Sequence, residues 1–352
     1  DRHNYFGGGR KDSFNNSTML ASPGSGTLSV GMQQVANRPF MLSEWIHVFP
    51  NEWGVEGPAV IGAYGMGLQG WDVSYMFQNR DEGGFREKLG AQAWDVTAPQ
   101  VLGIFPAVSR QVLRGDVKES NIIAQRYVYV PSLHEGKLGF EDQVKQQHDV
   151  KTFDSDKVPA KALAVVRSVV AFTDKYRETP AFDLAPFQQD GFYVSSTGQL
   201  RWKEGLSQLD GFFTMDTDAA KAVVGFAENE LCKLGTVDIL PQCRYGAIYV
   251  TAQGRDETLE STQSVLITAI ARARNTNMKF NEEENELLSA GGGPVWMEPV
   301  KARITIRKKG NPTVFLLDHD GLKTSRNLPI QNGVLEIDGA RDKTPYYLVQ
   351  YD

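Results

Sequence analysis

The chain has 352 residues, 41% of them hydrophobic and 23% charged, with a net charge of −6. That is an ordinary globular composition, with length for about two domains. The acidic balance gives no electrostatic pull toward nucleic acid or an anionic membrane, and no apolar run approaches the ~18 residues of a membrane-spanning helix.

Asp1-Arg2-His3-Asn4-Tyr5 reads as the end of a buried strand already in progress. With no initiator Met and no leader in front of it, the chain is expected to begin inside a domain. Residues 1–35 are otherwise loop-like, because Gly7-Gly8-Gly9, Asn15-Asn16 and Ser22-Pro23-Gly24-Ser25-Gly26 are turn formers. Pro39-Phe40-Met41-Leu42-Ser43, ending at Glu44-Trp45, predicts a buried parallel strand. Small apolar residues over 57–66 predict a helix, and residues 68–73 the next strand. Strand, helix, strand at this spacing is a βα rhythm. Residues 99–114 predict a helix with Val101, Leu102, Phe105, Val108 and Leu113 as its apolar stripe.

Beyond Arg114-Gly115-Asp116 the pattern changes to short strands such as Ala247-Ile248-Tyr249-Val250, Val265-Leu266-Ile267-Thr268 and Thr313-Val314-Phe315-Leu316. Turn pairs fall between them: Asp190-Gly191, Asp210-Gly211, Asp320-Gly321, Asn332-Gly333 and Asp338-Gly339. Short strands with such hairpin signals predict a β-sandwich, possibly of two modules. A helix is expected within it near residues 159–173. The expected fold class is therefore α/β plus all-β. Residues 1–117 form part of an α/β domain and residues 118–352 the sandwich region.

Glu44 is the strongest candidate for chemistry. It ends a predicted buried strand, where α/β barrels carry their catalytic groups. Trp45 follows it, and Trp53 and Trp71 are near in sequence. Aromatic rings offer flat apolar faces to sugars. In retaining glycoside hydrolysis one carboxylate attacks the anomeric carbon, and a second, about 5–5.5 Å away, protonates the leaving oxygen.

Residues 38–45, Arg-Pro-Phe-Met-Leu-Ser-Glu-Trp, resemble the seventh strand of the clan A retaining glycoside hydrolases, which ends in the nucleophile. His3-Asn4-Tyr5 resembles their sixth strand and Gln69-Gly70-Trp71-Asp72 their eighth. The resemblance covers about 75 residues and implies the C-terminal strands of a (β/α)8 TIM barrel, of β-galactosidase or agarase type, followed by the sandwich. It implies Glu44 as nucleophile and Tyr5 as the hydroxyl that holds it. His3 would contact a sugar hydroxyl or take Tyr5's role of holding Glu44, Trp71 would lie under the sugar, and Trp45, His47 and Trp53 would shape neighbouring subsites. The acid/base Glu of that clan ends an upstream strand absent here. Asn51-Glu52-Trp53 falls in the loop after the nucleophile, so Glu52 and Glu56 are expected to line the cleft or bind the loop's backbone.

The expected activity is cleavage of β-linked oligo- or polysaccharide, with the acid/base supplied from outside this chain by an N-terminal barrel fragment or a second chain. A non-catalytic carbohydrate-binding or assembly module, or an inactive hydrolase, is the alternative. No cofactor, metal, nucleic acid or membrane is implied, a homo-oligomer is possible, and the resemblance implies a secreted or periplasmic bacterial setting.

Three other signals carry less. Gly65-Met66-Gly67-Leu68-Gln69-Gly70 fits a dinucleotide fingerprint, but a helix precedes it and a strand follows, the reverse of what that motif needs. Those glycines are read as close-packing positions. Asp318-His319-Asp320-Gly321 is half of a calcium loop without its later Glu. Cys232 and Cys243 could pair or remain reduced.

Overall fold

In the computed structural model, residues 1–7, 15–78, 87–90, 94–135, 142–147 and 150–352 are described. Gly8-Gly9 of the first glycine run lie outside them. The described chain is mainly β, with 37% strand and 17% helix. Its N-terminal part is built on three parallel strands, β1 (Arg2–Phe6), β2 (Met41–His47) and β3 (Val73–Met76), side by side in that order. Helix α1 (Glu56–Val60) continues as a π-helical stretch (Ile61–Leu68) between β2 and β3. Two further helices follow, α2 (Pro99–Leu102) and α3 (Phe105–Arg114). The single helix expected over 99–114 breaks at Gly103, and Pro106 opens its second half, where a missing N–H costs nothing. Val101 and Val108 of the expected stripe are buried, whereas Leu113 is exposed.

The rest is dominated by a ten-stranded and a five-stranded sheet. The strand Gly246–Ala252 shows how the layers are arranged, because all seven of its residues are buried. Successive side chains on a strand point to opposite faces. Ala247 and Tyr249 join a core with Trp53, Tyr64, Trp71, Trp202 and Phe213. Ile248, Val250 and Ala252 join a second core with Ile239, Ile304 and Ile337 of the five-stranded sheet. The ten-stranded sheet is thus the middle layer, between the N-terminal unit and the five-stranded sheet. The run Ala-Ile-Tyr-Val lacks polar alternation because neither face meets water. The first core crosses residue 117, so the two halves of the chain share one interior.

These observations correct the expected fold. A (β/α)8 barrel alternates eight parallel strands with eight helices. Here the parallel N-terminal sheet has three strands, the link from β1 to β2 runs through 3-10 turns (Met19–Ala21 and Gly26–Gln33), and α1 is five residues long. The fold class α/β plus all-β with barrel strands gives way to a mainly β chain with several sheets, and the resemblance to clan A hydrolases is not supported at the level of the fold. The helix expected near 159–173 is instead a 3-10 turn (Ala160–Ala164) followed by a strand (Arg167–Thr173) that pairs in parallel with Ile123–Tyr129. The β-branched residues Val165, Val166, Val169 and Val170 favour that outcome over a helix.

Two of the turn pairs, Asp190-Gly191 and Asn332-Gly333, have positive φ at both residues, as a tight two-residue hairpin requires. Asp338-Gly339 does something else. Asp338 caps a short helix (Gly339–Asp342), its carboxylate accepting from the Ala340 N–H at 3.0 Å. Asp318 is likewise used by its own turn, accepting from the backbone of Asp320 and Leu322 at 3.0 and 2.8 Å. Among the described residues no cluster of three metal-ligating side chains occurs, and no helix is long and apolar enough to cross a membrane.

Cys232 and Cys243 are both free. Burial pushes the Cys232 thiol up to about 12 and the Cys243 thiol up to about 11. The thiolate is the reactive form, so both should react slowly with a disulfide reagent at about pH 8 until the chain is unfolded. Rapid thiol release from the native protein would contradict this account of their burial.

Candidate active site

The parallel register of β1 and β2 sets the site. His3 lies opposite Glu44 and Tyr5 opposite Ile46. The register slips between Arg2 and His3, so that Arg2 faces Leu42 and His3 faces Glu44, with Ser43 extra on β2. A second slip, between Leu42 and Trp45, falls on the other side of the same strand, against β3. An extra residue of this kind re-aims the side chains around it. Here it leaves Ser43 and Glu44 both partly exposed in a strand whose later residues are buried.

Glu44 keeps 30% of its side-chain surface open to solvent. The Tyr5 hydroxyl donates to its Oε2 at 2.7 Å, and His3 Nδ1 lies 3.2 Å from the same oxygen. No described residue donates to Oε1. Among the described residues, Oε2 is thus the oxygen that is held. An aromatic group stands beside this trio. Tyr5 contacts Phe77 and Trp94, each with ring centres 6.1 Å away, and Phe77 meets Trp94 edge-on at 5.4 Å. Trp94 is 37% exposed, and Tyr75 on β3 is more open still. The sequence reading missed Trp94. Its only signal was a tryptophan next to Asp95, outside any apolar run.

The other expected site residues lie elsewhere. Trp45 points to the opposite face of the sheet, is buried, and donates its indole N–H to the Ser74 hydroxyl at 2.8 Å. His47 is buried on that same face, with Nε2 3.0 Å from Glu56 Oε1. Glu56 also accepts from the backbone N–H of Met19 at 2.7 Å and from the Thr18 hydroxyl, so it fastens the residue 15–20 segment to the helix start. Trp53 is fully buried between Phe226 and Tyr245, its N–H donating to the Asn16 carbonyl at 2.6 Å. Trp71 is buried against Phe40, with ring centres 4.9 Å apart. The structure thus unites His3, Tyr5 and Glu44, and it places Trp45, His47, Trp53 and Trp71 in the packing beneath.

Glu52 is fully buried, but it neither lines a cleft nor serves only its own loop. It pairs with Arg274 through two contacts, one of them Nη2 to Oε2 at 2.9 Å. Arg272 Nη1 lies 3.4 Å away, and the Asn16 side-chain amide donates at 3.0 Å. Glu284 joins the network through Arg274 at 3.0 Å and Arg244 at 2.9 Å. The network ties the loop after β2 to the strand Ala273–Thr276.

The glycines of the Gly65-Met66-Gly67-Leu68-Gln69-Gly70 string serve packing. A Cβ on Gly65 would lie 2.6 Å from the Trp71 ring, and one on Gly67 would lie 2.7 Å from Val117. Gly65→Ala should gain at most ~1 kcal/mol of helix propensity and lose more to crowding against an immobile ring, since overpacking costs about 1–3 kcal/mol. A fall in the urea midpoint with unchanged slope is the expected result. A rise would mean that Trp71 yields easily.

Comparison with protein-family models, with curated proteins and with solved structures finds no match. The class the molecule defines is set by its own geometry: a mainly β chain carrying a carboxylate, held by a phenol and an imidazole, on a parallel strand beside exposed aromatic rings.

Proposed function

We propose that this chain is the nucleophile-bearing part of a retaining hydrolase of β-linked glycans, with the acid/base Glu supplied from outside the chain. The observation that carries the reading is the held carboxylate. The Tyr5 hydroxyl at 2.7 Å from Glu44 Oε2 fixes the side chain and leaves Oε1 to attack. In the first step Oε1 bonds to the anomeric carbon while the glycosidic C–O bond breaks, and the leaving oxygen takes the proton of the external acid. In the second step water, deprotonated by the same group, attacks the glycosyl ester and frees Glu44. Trp94 offers the sugar an apolar face at this end of the sheet. Glu52 and Glu56 do not serve as the acid, because they are buried and committed to Arg274 and His47. A polymeric substrate fits a secreted or periplasmic setting.

A 2,4-dinitrophenyl 2-deoxy-2-fluoro-β-glycoside tests the reading with this chain alone. Dinitrophenolate departs without a proton, so the missing acid is not needed, and the fluorine slows hydrolysis of the ester. With the galactoside or the glucoside, peptide mapping should find the fluorosugar on Glu44. Label on another residue, or on none with both sugars, would sink the proposal.

A further inference from the structure

A groove of about 1060 Å³ lies far along the chain from Glu44, where the strand Gly292–Met297 meets α2 and the segment 339–347. Ligand sites typically measure ~300–1,000 Å³, so it has room for an extended molecule. Its main aromatic surface is Trp296, which is 63% exposed. That ring is not a loose surface side chain. Its indole N–H donates to the Thr276 hydroxyl at 2.6 Å across the strand pair, which fixes the ring plane. Gly292 and Gly293 precede it on the same strand; a Cβ at Gly292 would meet nothing within 4 Å, whereas one at Gly293 would lie 2.5 Å from the Glu87 carbonyl oxygen.

The lining mixes apolar residues, among them Val295, Met297 and Pro345, with the polar side chains of Glu87, Glu298, His319 and Lys343. The lining thus carries both signs of charge, Glu87 and Glu298 beside Lys343, and Glu298 pairs with Arg272 at 2.7 Å. Such a lining favours neither an anion nor a cation. A fixed indole face with mixed hydrogen-bonding groups around it matches a neutral polyhydroxylated ligand, whose C–H faces stack and whose hydroxyls reach the polar side chains. Glu44 is not in the lining, so the groove stands apart from the carboxylate assigned to cleavage.

We propose that this groove is a second glycan-binding site, seating a stretch of β-linked oligosaccharide on Trp296. The proposal rests on the reading of Glu44 for its choice of β-linked sugars, but its test reads binding and not turnover.

Isothermal titration of the full chain with cellohexaose, laminarihexaose and neoagarohexaose is the experiment. The wild type and Glu44→Gln should bind the same hexasaccharide equally. Trp296→Ala should weaken that binding about tenfold, the scale of a lost aromatic stack, with no change in melting temperature. Trp296→Phe should recover part of it, and Lys343→Ala, elsewhere in the lining, should weaken it as well, which guards against a misfolded Trp296 variant. Binding that survives Trp296→Ala but disappears in Glu44→Gln overturns the groove proposal and leaves the hydrolase reading standing. If none of the three sugars binds, the groove proposal falls, while labelling of Glu44 still decides the hydrolase reading separately.

Discussion

Glu44→Gln should lower release of dinitrophenolate from an activated β-glycoside at least ~1,000-fold, about 4 kcal/mol of barrier. The amide keeps the shape and can still accept from Tyr5, but it is a very poor nucleophile. The unfolding midpoint should not fall, because Glu44 lies at a partly open surface and its loss leaves no buried charge. Tyr5→Phe is the companion test. It removes the hydrogen bond that holds Oε2, worth ~1.5–3 kcal/mol for a charged acceptor, so turnover should drop about 10- to 100-fold. Since the phenol acts on the nucleophile and not on the sugar, kcat should fall while KM stays near its wild-type value. Azide added to Glu44→Ala should restore release and yield a glycosyl azide of inverted configuration, a small anion having replaced the carboxylate. Natural oligosaccharides should resist this chain by itself, because their leaving oxygen needs the proton of the external acid. Full dinitrophenolate release by Glu44→Gln would end the assignment.

How much of this was legible in the sequence depends on range. Glu44 and Tyr5 are 39 residues apart, yet two short apolar strands suffice to suggest that they meet, because parallel strands place their ends together. The tryptophans misled for a physical reason. Trp53 and Trp71 have the same composition signal as a sugar platform, but Phe226 and Tyr245 cover the one, and Phe40, with Gly31 and Gly65, closes on the other. Those partners lie up to nearly two hundred residues away, and no local pattern announces them. Trp296 was readable in principle, since Val295 and Met297 alternate around it on a strand and leave it facing out. The barrel expectation failed at the same range. Three local strand signals say nothing of whether further parallel strands stand beside them, and the large antiparallel sheet that fills the middle of the molecule takes its strands from far downstream. The Glu52 pairing was equally hidden, because Arg274 lies 222 positions from it.

That pairing yields the largest expected effect on stability. Arg274→Ala should destabilise the fold by about 3–5 kcal/mol, the usual cost of stranding one member of a buried ion pair. Glu52 would keep only the Asn16 amide at 3.0 Å and Arg272 at 3.4 Å. Replacing both partners, as Glu52→Met with Arg274→Met, should cost much less, because the desolvated charge disappears with its counter-ion. The same network gives stability a pH dependence. Burial pushes the Glu284 carboxyl up, but Arg244, Arg272 and Arg274 outweigh it and hold the group below its ordinary 4.5. A carboxyl depressed in the folded state stabilises it fully above the unfolded value and loses that contribution as the pH falls through the folded one. The wild-type urea midpoint should therefore decline as the pH drops below 4.5. The decline should be shallower in Arg274→Ala, where one of the three guanidinium groups holding Glu284 is gone. Equal pH slopes for the two proteins would mean that Arg244 and Arg272 hold Glu284 without help. A loss near zero for Arg274→Ala would mean that the loop after β2 opens and lets water reach Glu52.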